Sequence, residues 1–292
     1  MARNVMLDLD KGSAPVGHKR GEMIDIDQAV DREITRDGLV GLDKMTEASE
    51  GLNRLQKDAA RVAPRDTTAP LGHPRKDRPL PGPDDTRTPL SSRQKKARSK
   101  ARHQALATMP KSQIAAQQKI TTDTHTWNTV NDALSDASGD VENLSEKDQQ
   151  TARRVDRSIQ QYEKLNDRGH RVYANVEMPA HINRSNIDTF LDNHVSSGDT
   201  VHFDRFTMGA HQLHEIEKPD PGGRTVAFEI HTRRGAYTGM SDGGDDTGHL
   251  LPRGMQFVIA GTHQATYTRP DGTTGTRRII QLIDTTPDTT QE

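Results

Sequence analysis

Three groups of residues in this 292-residue chain have the types and spacing that chemistry could use. His211 and His214, with Glu215 adjoining, lie close enough on a helix for two of them to share a metal ion. A zinc site needs at least three ligands held in fixed geometry, and no further ligand is near in sequence, so these read as surface histidines and no metal site is expected. Arg93, Lys95, Lys96, Arg98, Lys100 and Arg102 form a cationic cluster that could hold phosphates in a salt-dependent, sequence-independent way. No aromatic residue interleaves them, so base stacking is not indicated and a solvated helix start is the plainer reading. The third group is the loop within GAYTGMSDGGDDTGHLLPRGMQFVI, Gly235 to Ile259, which places Asp245 and Asp246 between a strand end and an apolar run. No Ser/His/Asp order, Gly-rich phosphate loop or paired-carboxylate spacing stands out. The absence of cysteine removes disulfides, thiolate nucleophiles and sulfur-ligated metals.

The elements that must position these groups occupy only part of the chain. With 30% hydrophobic and 3% aromatic residues, one core cannot run through the whole length, and part of the chain must fail to offset its ordering entropy. Every aromatic lies between Trp127 and Tyr267 and none precedes Trp127, which argues for one packed domain from about residue 110. A tail and a front helix precede it over 1–62. There Met45, Ala48, Leu52, Leu55, Ala59 and Val62 recur at steps of three and four, a short seam suited to weak self-association or docking. The proline- and charge-dense stretch 63–110 reads as an extended, basic, disordered linker, and 287–292 as a tail.

Within the domain, Trp127, Val130 and Leu134 mark one amphipathic helix, and Val155, Ile159 and Tyr162 a second, with Ser145 and Asp148 as a capping box. HRVYANVEMP is a strand, SNIDTFLDNH a short helix capped by Ser185, and Val201 with Phe203 alternate toward one face of the next strand. RTVAFEIHT is another strand, and MQFVIAGTHQATY and RRIIQLID flank the Asp271-Gly272 hairpin signal.

This order of elements resembles the arginine–serine–glutamate class of ADP-ribosyltransferases over residues 119–284. The wording that carries the resemblance is Leu250-Leu251-Pro252-Arg253-Gly254 with Gly235-Ala236-Tyr237 ahead of it. Trp127, Val130-Asn131 and Leu134, then Val155-Asp156, then Tyr173-Ala174-Asn175 support it. The resemblance implies an α+β fold, a split β-sandwich of two roughly perpendicular sheets with amino-terminal helices, here behind a long disordered arm. It also implies a cleft for NAD lined by Tyr173, Ala174, Asn175, Thr207, Met208, Gly209, Ala210, Asp246 and Gly248.

Breaking the nicotinamide–ribose bond passes through an oxocarbenium-like state, which a carboxylate stabilises while an arginine grips the pyrophosphate and a serine orients the pieces. Carried over by position, the arginine falls on Ala174, the serine on Met208-Gly209-Ala210 and the glutamate on Gly248. The resemblance therefore implies a degenerate member acting by binding or assembly, with a protein partner, and with nucleic acid engaged only through the cationic cluster. One alternative is an active transferase of ADP-ribose from NAD to protein, using Asp245 or Asp246 as acid and drawing charge from Arg171, Arg184 or Arg205. Another is a phage or toxin structural component that carries the domain as a passenger.

The net charge of -2 gives the whole molecule no polyanion or polycation character. No apolar run approaches the ~20 residues of a membrane span, and the first residues lack the apolar core of a signal peptide. The default expectation is a cytoplasmic protein, with virion association or export without a cleaved signal as the alternatives.

Overall fold

A computed structural model describes residues 80–286 apart from 84, 167, 179–180 and 240–245. The front helix, residues 63–79 of the proline-rich stretch and the final tail lie outside the described residues.

The described chain opens with a two-residue strand, β1 (Thr86–Arg87), and then helix α1 (Ser92–Thr108), inside the segment expected to be extended linker. Two local causes override the charge density. Ser91 and Gln94 close a capping box, the Ser91 Oγ accepting the Gln94 N–H at 3.3 Å and Gln94 Oε1 accepting the Ser91 N–H at 2.8 Å. Ala101 and Ala105 then give the helix a small-residue face to bury. Arg98 is buried as well, donating to the carbonyls of Gln94 and Gly169, and Arg102 donates to the Gly239 carbonyl at 3.0 Å. Of the six cations, Arg93, Lys96 and Lys100 remain exposed.

Helices α2 (Lys111–Thr122), α3 (Thr124–Asp136) and α4 (Glu146–Glu163) follow. The Asp123 carboxylate accepts the His125 and Thr126 amides to start α3, and Ser145 accepts the Asp148 amide to start α4. Asp148 takes the Ser145 hydroxyl at 2.6 Å rather than its backbone amide, so only half of the expected box forms. Trp127, Val130 and Leu134 of α3 and Val155, Ile159 and Tyr162 of α4 are buried as their spacing predicts.

The remaining elements are β2 (His170–Glu177), α5 (Ile187–His194), β3 (Thr200–Phe203), β4 (Thr207–Ala210), β5 (Thr225–Thr232), β6 (Ala236–Tyr237), β7 (Gly248–Leu251), β8 (Met255–Thr268) and β9 (Thr274–Asp284). Ser185 does not cap α5. Asn186 holds that position, and Asn183 gathers the Ser185 amide and hydroxyl instead.

The nine strands form one hydrogen-bonded path, β1-β8-β9-β5-β2-β4-β7-β6, with β3 added on β8, in a curled sheet. The path is uneven. β2 pairs with β5 along its whole length, from His170↔Thr232 to Glu177↔Thr225, but with β4 through one bridge, Tyr173↔Ala210. That thin seam divides a large half (β1, β3, β8, β9, β5, β2) from a small half (β4, β7, β6), which is where two separate sheets were expected.

Each half has its own core. Val172, Ala174, Val176, Phe228, Ile230, Phe257 and Leu282 pack with Ile187 and Leu191 of α5. Trp127 and Tyr162 from the helices pack with Phe206, Met208 and Leu250 of the small half. Buried polar pairs fix the helices on the small half. Asn131 donates to the Phe206 carbonyl at 3.2 Å and accepts its N–H at 3.1 Å, and Arg253 donates from Nε to Asp156 at 2.9 Å. Among the described residues, no helix is long and apolar enough to cross a membrane.

Candidate functional site

Tyr173, Ala174 and Asn175 lie on β2, Thr207 to Ala210 form β4, and Gly248 opens β7. Register sets Tyr173 opposite Ala210, and Ala210 opposite Gly248. The residues named from the sequence are thus gathered on three adjacent strands at the seam, but their side chains do not converge on a common space. Ala174 points into the apolar core of the large half, Met208 into the helix-side core, and Ala210 into a third cluster with Tyr173, Leu213 and Tyr267. Gly209 has no room for a side chain, because a Cβ there would sit 2.5 Å from both the Tyr173 carbonyl oxygen and Val172 Cγ1. A serine at that position would displace the neighbouring strand.

The polar members are also committed. Asn175 donates to the Ile216 carbonyl at 2.6 Å and accepts from Arg277 at 2.5 Å. Thr207 is fully buried. The Asp246 carboxylate accepts the Gly248 N–H at 3.1 Å, a local turn that starts β7, and Asp245 lies outside the described residues. Of the arginines that might supply charge, Arg205 is 1% exposed and Arg184 is exposed beside Gly223. Arg171 stands on β2 with its guanidinium 5.8 Å from the Tyr173 ring centroid.

The same seam carries a cluster that local spacing does not reveal. His170 at the start of β2, His211 just past the end of β4 and His249 in β7 are all buried, and one ring nitrogen from each lies within 4.8 Å of those of the others. His211 is not a surface histidine. The expected pairing with His214 and Glu215 gives way to partners brought in by the sheet, because His211 leaves β4 toward β2 and β7. His214 is half-buried outside the cluster, and Glu215 accepts the Thr247 amide at 2.8 Å and also binds its hydroxyl.

Around the rings, His211 Nε2 faces His249 Nδ1 at 3.2 Å, and His249 Nε2 meets the Arg234 carbonyl at 3.0 Å. His170 Nε2 lies 2.8 Å from the Asn166 side-chain amide, while its Nδ1 is buried with no hydrogen-bond partner. Gly235 is required here. It sits at φ 99°, and a Cβ would come within 2.5 Å of His249 Nε2. Burial pushes all three imidazoles down, His249 to about 3 and His170 and His211 well below their ordinary value, with Arg98 adding to the depression. The rings are therefore neutral at physiological pH, each offering one N–H and one lone pair.

No protein-family model matches the chain, and no curated protein matches it in sequence. Solved structures that it resembles are ADP-ribosyltransferases. The enzymatic component C2-I of the Clostridium botulinum C2 toxin is 12% identical, with a TM-score of 0.49 over 66% of this chain and 47% of that one. C3stau2 from S. aureus, solved with NAD, is 14% identical, with a TM-score of 0.49 over 70% of this chain and 100% of that one. HopU1 of Pseudomonas syringae is 18% identical, with a TM-score of 0.41 over 56% of this chain and 67% of that one. The chain spans about half the length of the C2-I chains it matches.

Proposed function

We propose that the folded region is an ADP-ribosyltransferase-like scaffold that works by binding a protein partner, not by transferring ADP-ribose. The observation that carries this reading is what stands in the three strands at the seam. The positions where the sequence resemblance puts arginine, serine and glutamate hold Ala174, Met208-Gly209-Ala210 and Gly248, and their surroundings are packed core or paired backbone. The scaffold residues of the same resemblance, Asn131, Asp156 and Arg253, keep polar bonds that lock helices to strands. Retention of the framework beside loss of the reacting groups is what a binding role leaves behind.

The residues present do not fit NAD as a substrate. Its pyrophosphate would need a cation where Ala174 faces apolar core, and its ribose a carboxylate where Gly248 offers only backbone. The Asp246 carboxylate, already accepting the Gly248 amide, would have to leave that turn to serve, and displacement of a reacting group by an ångström can cost ~100-fold.

Calorimetric titration of the full chain with NAD, followed by a nicotinamide-release assay, tests the reading. We expect no saturable heat and no nicotinamide above the rate of NAD alone. Catalytic release of nicotinamide would overturn the proposal and direct attention to Asp245 and Asp246.

A further inference from the structure

We propose that His170, His211 and His249 form a binding site for a divalent transition metal of the zinc class, which clamps the two halves of the sheet together across the seam.

The geometry leads there in three steps. First, the donors are of the right kind and number. Three imidazoles with no cysteine or carboxylate among them suit Zn²⁺, Co²⁺, Ni²⁺ or Cu²⁺ better than Mg²⁺ or Ca²⁺, which prefer oxygen. Three histidines also satisfy the minimum protein ligand set of a tetrahedral zinc site.

Second, two of the rings can present lone pairs toward one another. The Arg234 carbonyl accepts the His249 Nε2–H, which leaves Nδ1 as a lone pair. His211 Nε2 lies on the His249 side, 3.2 Å from that lone pair. In the tautomer that carries its proton on Nδ1, His211 offers Nε2 as a second lone pair. Two lone pairs directed at one another repel unless a cation lies between them. Tetrahedral zinc with Zn–N bonds of about 2.0–2.1 Å separates its nitrogens by about 3.3–3.4 Å, close to this spacing.

Third, His170 supplies the nitrogen that has no use otherwise. Its Nδ1 is buried without a hydrogen-bond partner, a situation that ordinarily costs a protein stability. Turning the Asn166 amide by 180° would let Oδ1 accept the His170 Nε2–H and leave Nδ1 as the third lone pair, at the expense of the 3.5 Å contact from Arg168. The Arg234 carbonyl and the Asn166 amide oxygen would then orient two of the three ligands, the pattern of outer partners that fixes metal-binding histidines.

The surroundings bear on affinity. Arg98 opposes a bound metal, donating to the Gly169 carbonyl beside His170, and Arg168 and Arg171 add to that opposition. Glu163 offsets it from α4, where its carboxylate accepts the Gly235 N–H at 2.5 Å next to the His249 ring. Tyr162, whose ring lies 6.4 Å from that of His170, has a buried hydroxyl with no hydrogen-bond partner. A clamp here has a clear structural purpose, because the backbone joins β2 to β4 through one bridge while the three ligands come from β2, the end of β4 and β7.

The test uses the full chain purified without an oligohistidine tag and stripped with a chelator. Zn²⁺ is titrated in competition with a chromophoric chelator, and Co²⁺ is followed by its visible absorption. We expect a single equivalent of Zn²⁺, a tetrahedral Co²⁺ spectrum and a raised Tm with Zn²⁺, none of which the urea-unfolded chain shows. His249→Gln should abolish binding, Asn166→Ala should weaken it ~10–100-fold, and His214→Gln should leave it unchanged. If a variant fails to fold, the Tm response of the parent chain to Zn²⁺ still decides. A folded parent with no uptake and no Tm change would make the cluster an ordinary histidine core and end the proposal. Undiminished uptake by folded His249→Gln would place the metal elsewhere and do the same. None of these outcomes depends on whether the chain binds NAD.

Discussion

Two buried polar clusters lie in the same sheet, and they differ in completeness. On β5 the fully buried Glu229 accepts from Arg87 Nε at 2.9 Å and from Gln281 at 3.0 Å, and meets His231 Nε2 at 2.9 Å. Arg87 spends its other nitrogens on the Gly82 and Asp85 carbonyls and on His263. Burial alone would push the Glu229 carboxyl up, but the bonds from His231 and Arg87 hold it well below its usual range. At the seam His211 Nε2 faces His249 Nδ1 at 3.2 Å, and His170 Nδ1 has no partner. The first cluster is finished by protein atoms and ties the short strand β1 to the sheet. The second gathers three donor nitrogens, with one His170 nitrogen lacking a protein partner, which is the ground of the metal proposal.

The largest effect that follows is on the complete cluster. Glu229→Ala leaves Arg87 charged and unpaired in the interior and should destabilise the chain by about 3–5 kcal/mol in urea unfolding. The loss should be the same with and without Zn²⁺, because none of the three proposed ligands belongs to this cluster. The incomplete cluster should behave in the opposite way. His170→Leu removes a nitrogen that has no partner together with the Nε2 that Asn166 meets, so in chelator-treated protein the cost should be that of one unsatisfied buried amide, about 1–3 kcal/mol. Adding Zn²⁺ should widen the gap, since only the parent chain gains stability. If His170→Leu in chelator cost as much as Glu229→Ala, the distinction between the two clusters would collapse.

The contrast also explains what could be read in advance. Helices around Trp127 and Ile159 and the hairpin at Asp271-Gly272 were legible because a helix face or a turn is encoded within a few residues. The grouping of β2, β4 and β7 came from a resemblance spread across many elements, and the register joins Tyr173, Ala210 and Gly248 accordingly. The histidine cluster had no such signal. His211 and His249 are 38 positions apart in sequence, and each sits in an apolar or glycine-rich strand context that gives no hint of a ligand. Only strand register brings them together, and the nearby His214 and Glu215 drew attention to the wrong neighbours. Helix α1 was missed for a different reason. Proline and charge dominate its surroundings, while the signals that create it are brief: Ser91 with Gln94, and two alanines a helical turn apart.

The smallest effect refines the account of the complete cluster. His231 is the partner of Glu229 nearest solvent, its side chain 21% exposed, and His231→Ala leaves Arg87 and Gln281 still bonded to the carboxylate. The expected cost is about 1 kcal/mol near pH 7. Because the folded state holds the Glu229 carboxyl below its unfolded value, its contribution is fully present above that unfolded pKa of about 4.3. The contribution is lost as pH falls further. Removing the His231 bond lets the folded value rise toward the unfolded one, so the variant has less to lose on acidification. Urea midpoints of parent and variant should therefore keep their gap down to about pH 4 and converge only as pH falls below it. A gap that stayed constant through that fall would mean that His231 stabilises β5 by packing alone, and the cluster would then owe its completeness to Arg87 and Gln281.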